Sequence, residues 1–65
     1  MRIQVNGCWR EVPSAALAVA LGDLGYGDAV VTTAVNGEFV ASEARARTLL
    51  AEGDRLEVLA PMQGG

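Results

Sequence analysis

Two Asn-Gly pairs limit the folds open to this chain more than any other feature of its sequence. They stand at positions 6–7 and 36–37, and Asn-Gly is the dipeptide best suited to the positive φ angles of a tight β-hairpin turn. Around the second pair, segment 30–35 is mostly β-branched and apolar, which is typical of a strand inside a sheet, and segment 38–40 suffices for a short partner strand. The sequence therefore predicts two β-hairpins.

The first hairpin has a clear outgoing strand and a return strand whose register stays open. Ile3 and Val5 alternate with polar residues, as in a half-buried strand, and residues 8–12 form the expected return strand. If Val12 faces the core, Arg10 does so too unless a bulge intervenes.

A helix is predicted between the two hairpins. Ser14 is its expected N-cap, and Gly25 is placed to take the left-handed position that ends it. Apolar residues recur at i, i+3, i+4 and i+7 and form one stripe on the helix surface. The residues of this stripe are Leu17, Ala20, Leu21 and Leu24.

The chain closes with a mixed segment, an alternating strand and a tail. In the mixed segment 41–50, Leu49 and Leu50 are expected to cover one end of the core. A turn at 53–54 precedes the last strand, 55–59. Leu56 and Val58 should point inward, so the opposite face of the sheet receives Arg55, Glu57 and Leu59.

This order of elements predicts one α+β domain over residues 1–59, followed by a flexible tail, 60–65. A mixed sheet of four to five strands packs on one main helix, and its first and last strands can lie side by side in parallel. With 65 residues, the chain has room for a single small core. Leu17, Leu21, Leu56 and Val58 are expected among its least exposed side chains.

The residue types that are missing exclude most enzyme classes. The chain has no histidine and no lysine, so it lacks the best proton-transfer side chain near neutral pH and the lysine of a P-loop. Cys8 has no histidine to activate it, and one thiol with carboxylates is not a recognisable zinc site. We expect no activity of its own, no metal and no bound cofactor.

Charge and hydropathy limit which partners the chain can bind and where in the cell it is expected. A net charge of −3 with scattered arginines provides no basic stripe for nucleic acid. No apolar run approaches the roughly 20 residues of a membrane-spanning helix. The first residues lack a signal peptide pattern, which predicts a cytoplasmic protein that does not associate with membranes.

The second half of the chain resembles a known family. Segments 35–40 (Val-Asn-Gly-Glu-Phe-Val) and 50–58, the terminal residues 62–65 (Met-Gln-Gly-Gly) and the small size are similar to the thiamine-biosynthesis sulfur carrier family, ThiS. One departure lies at 41–45, where the family often has a proline, an arginine and a tryptophan. The resemblance implies the ubiquitin-like β-grasp fold.

The same resemblance implies what the tail does. A ubiquitin-activating-like adenylyltransferase uses ATP to adenylate the carboxylate of Gly65, and a donor protein bearing a persulfide converts it to a thiocarboxylate. Thiazole synthase then accepts the sulfur for the thiazole ring of thiamine. Gly64, Gln63 and Met62 give the tail access to these partners. Glycines lack a Cβ, which suits a narrow slot.

The residues leave other functions open. The same tail suits a sulfur carrier for molybdopterin, tRNA or cysteine synthesis, a ubiquitin-like protein modifier, or an interaction domain with an incidental tail.

The expected docking face consists of Leu59, Glu57 and Arg55, because partners must bind the folded domain close to where the tail begins.

Three further features carry expectations. Cys8 is expected to be a small semi-buried apolar residue. Trp9 is either a partner anchor or a cap on one edge of the core. Glu52, Asp54 and Glu57 form an acidic group that is either a solvated face or a contact for basic residues of the activating enzyme.

Overall fold

The computed structural model describes residues 1–27 and 29–60, and within them it shows one five-stranded mixed sheet with one α-helix. The strands lie in the order β2-β1-β5-β3-β4. In chain order the elements are β1 (Arg2–Val5), β2 (Cys8–Glu11), α1 (Leu17–Asp23), β3 (Thr32–Val35), β4 (Glu38–Val40), a 3₁₀ segment (Ser42–Arg47) and β5 (Arg55–Leu59). The predicted α+β, β-grasp architecture is confirmed.

The last strand occupies the centre of the sheet. β5 runs parallel to β1, with Gln4 opposite Arg55 and Val5 opposite Leu56. On its other side β5 runs antiparallel to β3, from Val35 opposite Leu56 to Thr32 opposite Leu59. The predicted parallel pairing of first and last strands is therefore confirmed.

Both Asn-Gly pairs form the predicted hairpin turns. Asn6 and Gly7 have φ values of 51° and 85°, and Asn36 and Gly37 have 51° and 86°. Asparagine tolerates this left-handed region and glycine adopts it without steric cost. The turn chemistry thus fixes both hairpins locally.

The register of the first hairpin is regular. The Val12 amide donates to the Met1 carbonyl at 2.9 Å, which continues the β1–β2 pairing without a bulge. Arg10 pairs with Ile3 and so lies on the same side as Val12, yet it is exposed because β2 is an edge strand.

The helix begins later than the sequence predicted, and Ser14 is not its N-cap. Ser14 Oγ accepts a hydrogen bond from the Ala16 amide, and the helix starts at Leu17 after an Ala16 N-cap with extended φ and ψ. The reason is a long-range pairing. Ala16 bridges to Leu49, and the Leu17 amide donates to the Thr48 carbonyl at 2.9 Å.

Gly25 ends the helix as predicted. Its φ is 96°, its amide donates to the Gly22 carbonyl, and the Tyr26 amide donates to the Leu21 carbonyl at 2.8 Å. This pair of bonds is a Schellman motif, which satisfies carbonyls that the helix leaves without partners.

The helix covers one face of the sheet and encloses the core there. The four residues predicted to be least exposed are all buried, with Leu17 at 0% and Leu56 at 1% exposure. The other buried hydrophobic residues are Ile3, Val5, Val12, Ala20, Val31 and Leu50. Leu24, the last residue of the predicted stripe, is half-buried against this cluster.

Two expectations about the chain around β3 and the mixed segment are wrong. β3 begins at Thr32 rather than at position 30, because its partner β5 ends opposite Thr32, and Val30 is exposed. Leu50 is buried as expected, but Leu49 is 73% exposed. Because Leu49 pairs with Ala16 as in a strand, the side chains of Leu49 and Leu50 point in opposite directions, and only Leu50 faces the core.

Hydrogen bonds from one arginine, Arg45, hold the 3₁₀ segment against the sheet. Arg45 Nε donates to Thr33 Oγ1 at 3.1 Å and its Nη2 donates to the Val31 carbonyl at 2.6 Å. Thr33 Oγ1 in turn donates to the Val40 carbonyl at 2.7 Å. Arg45 therefore satisfies Thr33, the one polar side chain buried within the described residues.

Candidate functional site

The uncovered face of the sheet carries the residues predicted for docking. Along β5, Leu56 and Val58 are buried, whereas Arg55, Glu57 and Leu59 are exposed. Leu59 is 66% exposed although it is a large apolar residue. The alternation predicted from the sequence thus places these three side chains on the face opposite the helix, which we call the open face.

Strand pairing brings further apolar groups to the open face. Ala34 lies between Glu57 of β5 and Phe39 of β4, and Thr32 lies opposite Leu59. Phe39 is 69% exposed. We call Leu59, Ala34 and Phe39 the open-face patch. Sequence reasoning missed Phe39, although alternation along the short strand Glu38–Val40 would have placed it there.

A shallow groove of about 410 Å³ runs beside the end of β5. The Asn6-Gly7 turn bounds it on one side, Thr32 and Ala34 bound it on the other, and Leu59 lines it. The groove thus lies where the chain leaves the sheet, and it presents apolar surface to anything that contacts the root of the tail.

Trp9 lies on the open face and does not cap the core. It pairs with Gln4 across the first hairpin and is 51% exposed. The Arg2 guanidinium stacks over its ring, 4.7 Å from the centroid. The strip of Gln4 and Arg55 separates Trp9 from the open-face patch.

The three predicted acidic residues have different surroundings. Both oxygens of Glu52 accept from the Arg2 amide at 3.2 Å. Asp54 accepts from the Ala51 amide at 2.8 Å and from the Asn36 side chain at 3.0 Å. Glu52 therefore binds the backbone of β1, and Asp54 binds the backbone of its own turn and the side chain of Asn36. Of the three carboxylates, only Glu57 projects from the open face.

Cys8 is exposed, contrary to the expectation of a semi-buried residue. It pairs with the buried Val5, but it belongs to the edge strand β2. Among residues 1–27 and 29–60, no three metal-ligating side chains cluster. Within the same ranges, no helix has the length and apolar character needed to cross a membrane.

The predicted carrier residues lie outside the described residues. β5 ends at Leu59 and is followed by the exposed Ala60, whereas Met62, Gln63, Gly64 and Gly65 are not described. Their roles stay predictions. The described residues show only what precedes the predicted tail: a central strand in a sheet whose one face is covered by the helix and whose other face is exposed within residues 1–27 and 29–60.

A mixed five-stranded sheet with parallel first and last strands, covered on one face by a helix, defines a ubiquitin-like β-grasp protein. The model of the ThiS family matches residues 3–65, and the chain belongs to that family. This membership supports a sulfur carrier role.

A solved structure agrees with this assignment. The crystal structure of the thiamine biosynthesis protein ThiS from Geobacter metallireducens is 35% identical in sequence, with a TM-score of 0.83. The match covers 100% of both chains. No curated protein sequence matches the chain significantly.

Proposed function

We propose that this chain carries sulfur as a thiocarboxylate at Gly65 and donates it to the thiazole ring of thiamine. The observation that carries the proposal is the family match over residues 3–65, which includes the Gly-Gly end. The full-length likeness to a thiamine biosynthesis protein supports the choice of pathway.

The chemistry proceeds on the tail and is performed by partners. The Gly65 carboxylate attacks the α-phosphorus of ATP on the activating enzyme and releases pyrophosphate. The terminal sulfur of a persulfide displaces AMP from the acyl adenylate and forms an acyl disulfide with the donor protein. A second thiol then attacks the donor-side sulfur of that disulfide, so a new disulfide forms there and the thiocarboxylate leaves with the electron pair. Thiazole synthase accepts that sulfur. In this scheme the chain is a co-substrate of its partner enzymes. Its cytoplasmic location stays a prediction.

The tail has the length and composition for this task. Six residues, 60–65, span at most about 20 Å when extended. Gly64 and Gly65 carry no Cβ, so they can enter a narrow slot that Met62 and Gln63 lead into. A carboxylate delivered in this way needs no catalytic group on the carrier.

The open face is the proposed docking surface for both the activating enzyme and the sulfur acceptor. Leu59 and the groove beside it lie at the root of the tail, flanked by Glu57, and Arg55 begins the same strand. Each partner must hold the body at this root to receive the tail. The two partners therefore compete for one carrier.

The test is adenylation and sulfur transfer with purified partners. We expect deletion of Gly65, or extension by one alanine, to abolish the AMP adduct seen by intact mass spectrometry while the fold persists. Gly64→Val should also block transfer, because a β-branched residue restricts φ and ψ and widens the tail. A normal AMP adduct on the chain that lacks Gly65 contradicts the proposal.

The sulfur acceptor is tested separately. The thiocarboxylate form should release its sulfur to thiazole synthase and not to the small-molecule acceptor of molybdopterin synthesis. Attachment of the intact chain to lysines of other proteins would instead favour a protein modifier.

A further inference from the structure

The central strand extends further than its parallel neighbour. β1 ends at Val5, opposite Leu56, whereas β3 follows β5 to its last residue, Leu59. Beyond Leu56, β5 therefore has a strand partner on only one side within the described ranges. This open stretch of edge lies immediately before the tail.

The side chain of Asn6 occupies that open edge. Its Nδ2 donates to the Val58 carbonyl at 3.0 Å, and its Oδ1 accepts from the Val58 amide at 2.8 Å. The backbone amide of Asn6 also donates to the Leu56 carbonyl at 2.9 Å. A carboxamide has the donor and the acceptor of a peptide group, so Asn6 extends the β1 ladder by one step.

Asparagine is the residue that fits both tasks at this position. The turn requires a φ of 51°, which asparagine tolerates. Aspartate can accept from Val58 but presents a negative charge to the Val58 carbonyl. Glycine satisfies the turn but has no side chain to bond β5.

We propose that Asn6 is a positioning residue for the carrier tail. By holding both backbone groups of Val58, it fixes where and in which direction the chain leaves the sheet at Leu59. The inference rests on the proposed function of the tail. If β5 stays paired up to Leu59, the tail is short and the effective concentration of the Gly65 carboxylate at the partner's active site is high. If the end of β5 frays, the tail becomes longer and this effective concentration falls.

Asn36 provides a matched control within the same chain. It has the same φ of 51°, in the same position of the other Asn-Gly turn. Its Oδ1 accepts from the Arg55 amide at 3.0 Å and its Nδ2 donates to Asp54 Oδ1 at 3.0 Å. Asn36 thus ties the beginning of β5, remote from the tail, with the same number of side-chain hydrogen bonds.

The experiment compares Asn6→Gly, Asn6→Asp and Asn36→Gly in the full chain. Amide hydrogen exchange reads the local effect, and kcat/KM for adenylation by the activating enzyme reads the functional one. We expect faster exchange at the Val58 amide in Asn6→Gly but not in Asn36→Gly, and faster exchange at the Arg55 amide in Asn36→Gly but not in Asn6→Gly. Asn6→Asp keeps an acceptor for the Val58 amide and should change its exchange less than Asn6→Gly does. All measurements are made where every variant is folded.

For the functional readout, Asn6→Gly should lower kcat/KM about 3- to 10-fold, because the tail reaches the reacting geometry less often. Asn6→Asp should give a smaller loss, since it keeps the bond from the Val58 amide. Asn36→Gly should stay within about twofold of wild type, because it leaves the tail root untouched.

Equal losses in kcat/KM for Asn6→Gly and Asn36→Gly would overturn the proposal, since both remove two side-chain hydrogen bonds. Unchanged exchange at Val58 in Asn6→Gly would overturn it as well. If wild type forms no adduct, the carrier function itself fails; if wild type is adenylated and Asn6→Gly matches it, only the positioning role fails.

Discussion

The two faces of the sheet are built from the same strands but have opposite surroundings. On the covered face, Leu56 and Val58 are at most 4% exposed, whereas on the open face Leu59 of the same strand is 66% exposed. Phe39 adds a second large apolar side chain to the open face. An apolar group that gains no burial contributes little to stability, so the exposure of Leu59 and Phe39 is consistent with the docking surface proposed above.

The smallness of the domain sharpens this contrast. Folded domains are stable by only about 5–15 kcal/mol, and a chain of this size belongs near the lower end. Truncation of one core residue therefore removes a large share of the stability. Truncation on the open face should remove almost none.

The largest expected effect is on the covered face. Leu21→Ala should lower the free energy of unfolding by about 2–5 kcal/mol, because Leu21 is 5% exposed in the core cluster. The matched control Leu59→Ala removes the same atoms from the open face and should cost less than about 0.5 kcal/mol. Chemical denaturation measures both. Equal costs would show that the open face is covered as well.

The second effect is on binding. Leu59→Asp should weaken the complexes with the activating enzyme and with thiazole synthase about tenfold or more, because it places a charge in the centre of the proposed contact. Its free energy of unfolding should change by less than about 0.5 kcal/mol. Calorimetric titration measures both affinities, and competition between the partners provides a second readout. Simultaneous binding of both partners would refute a shared face.

Local turn chemistry explains which parts of the fold could be predicted. The Asn-Gly turns and the helix end at Gly25 depend on the conformations that a few adjacent residues can adopt. The last strand was predictable because its alternation is regular from Arg55 to Leu59. These features require no knowledge of distant residues.

The errors arise where distant segments decide the structure. Ser14 does not cap the helix, because pairing with the segment around Leu49 keeps the preceding residues extended. The same pairing exposes Leu49. Cys8 is exposed because β2 is an edge strand, and strand order is a long-range property. The bonds from Asn6 to Val58 span 52 residues and have no local signal.

A third effect, on stability alone, compares two adjacent threonines. Thr33→Val should cost about 1–3 kcal/mol, because it leaves the Val40 carbonyl and Arg45 Nε without their buried partner. Thr32→Val changes the neighbouring residue on the open face and should be nearly neutral. Thermal unfolding of the two variants checks the difference. A neutral Thr33→Val would mean that the Arg45 network adds no net stability.

The smallest effect concerns the open face itself, at the Arg2–Trp9 pair. The guanidinium lies 4.7 Å from the ring centroid and the ring is half exposed, so the pair should contribute about 0.5–1 kcal/mol. A double-mutant cycle with Arg2→Gln and Trp9→Leu isolates that coupling from the bonds that the Arg2 backbone makes to Glu52. The single tryptophan also reports the contact by fluorescence. A coupling free energy of zero, with an unchanged emission maximum in Arg2→Gln, would show that the stacking contributes nothing to stability. Trp9 would then be exposed on the open face without a stabilising contact from Arg2.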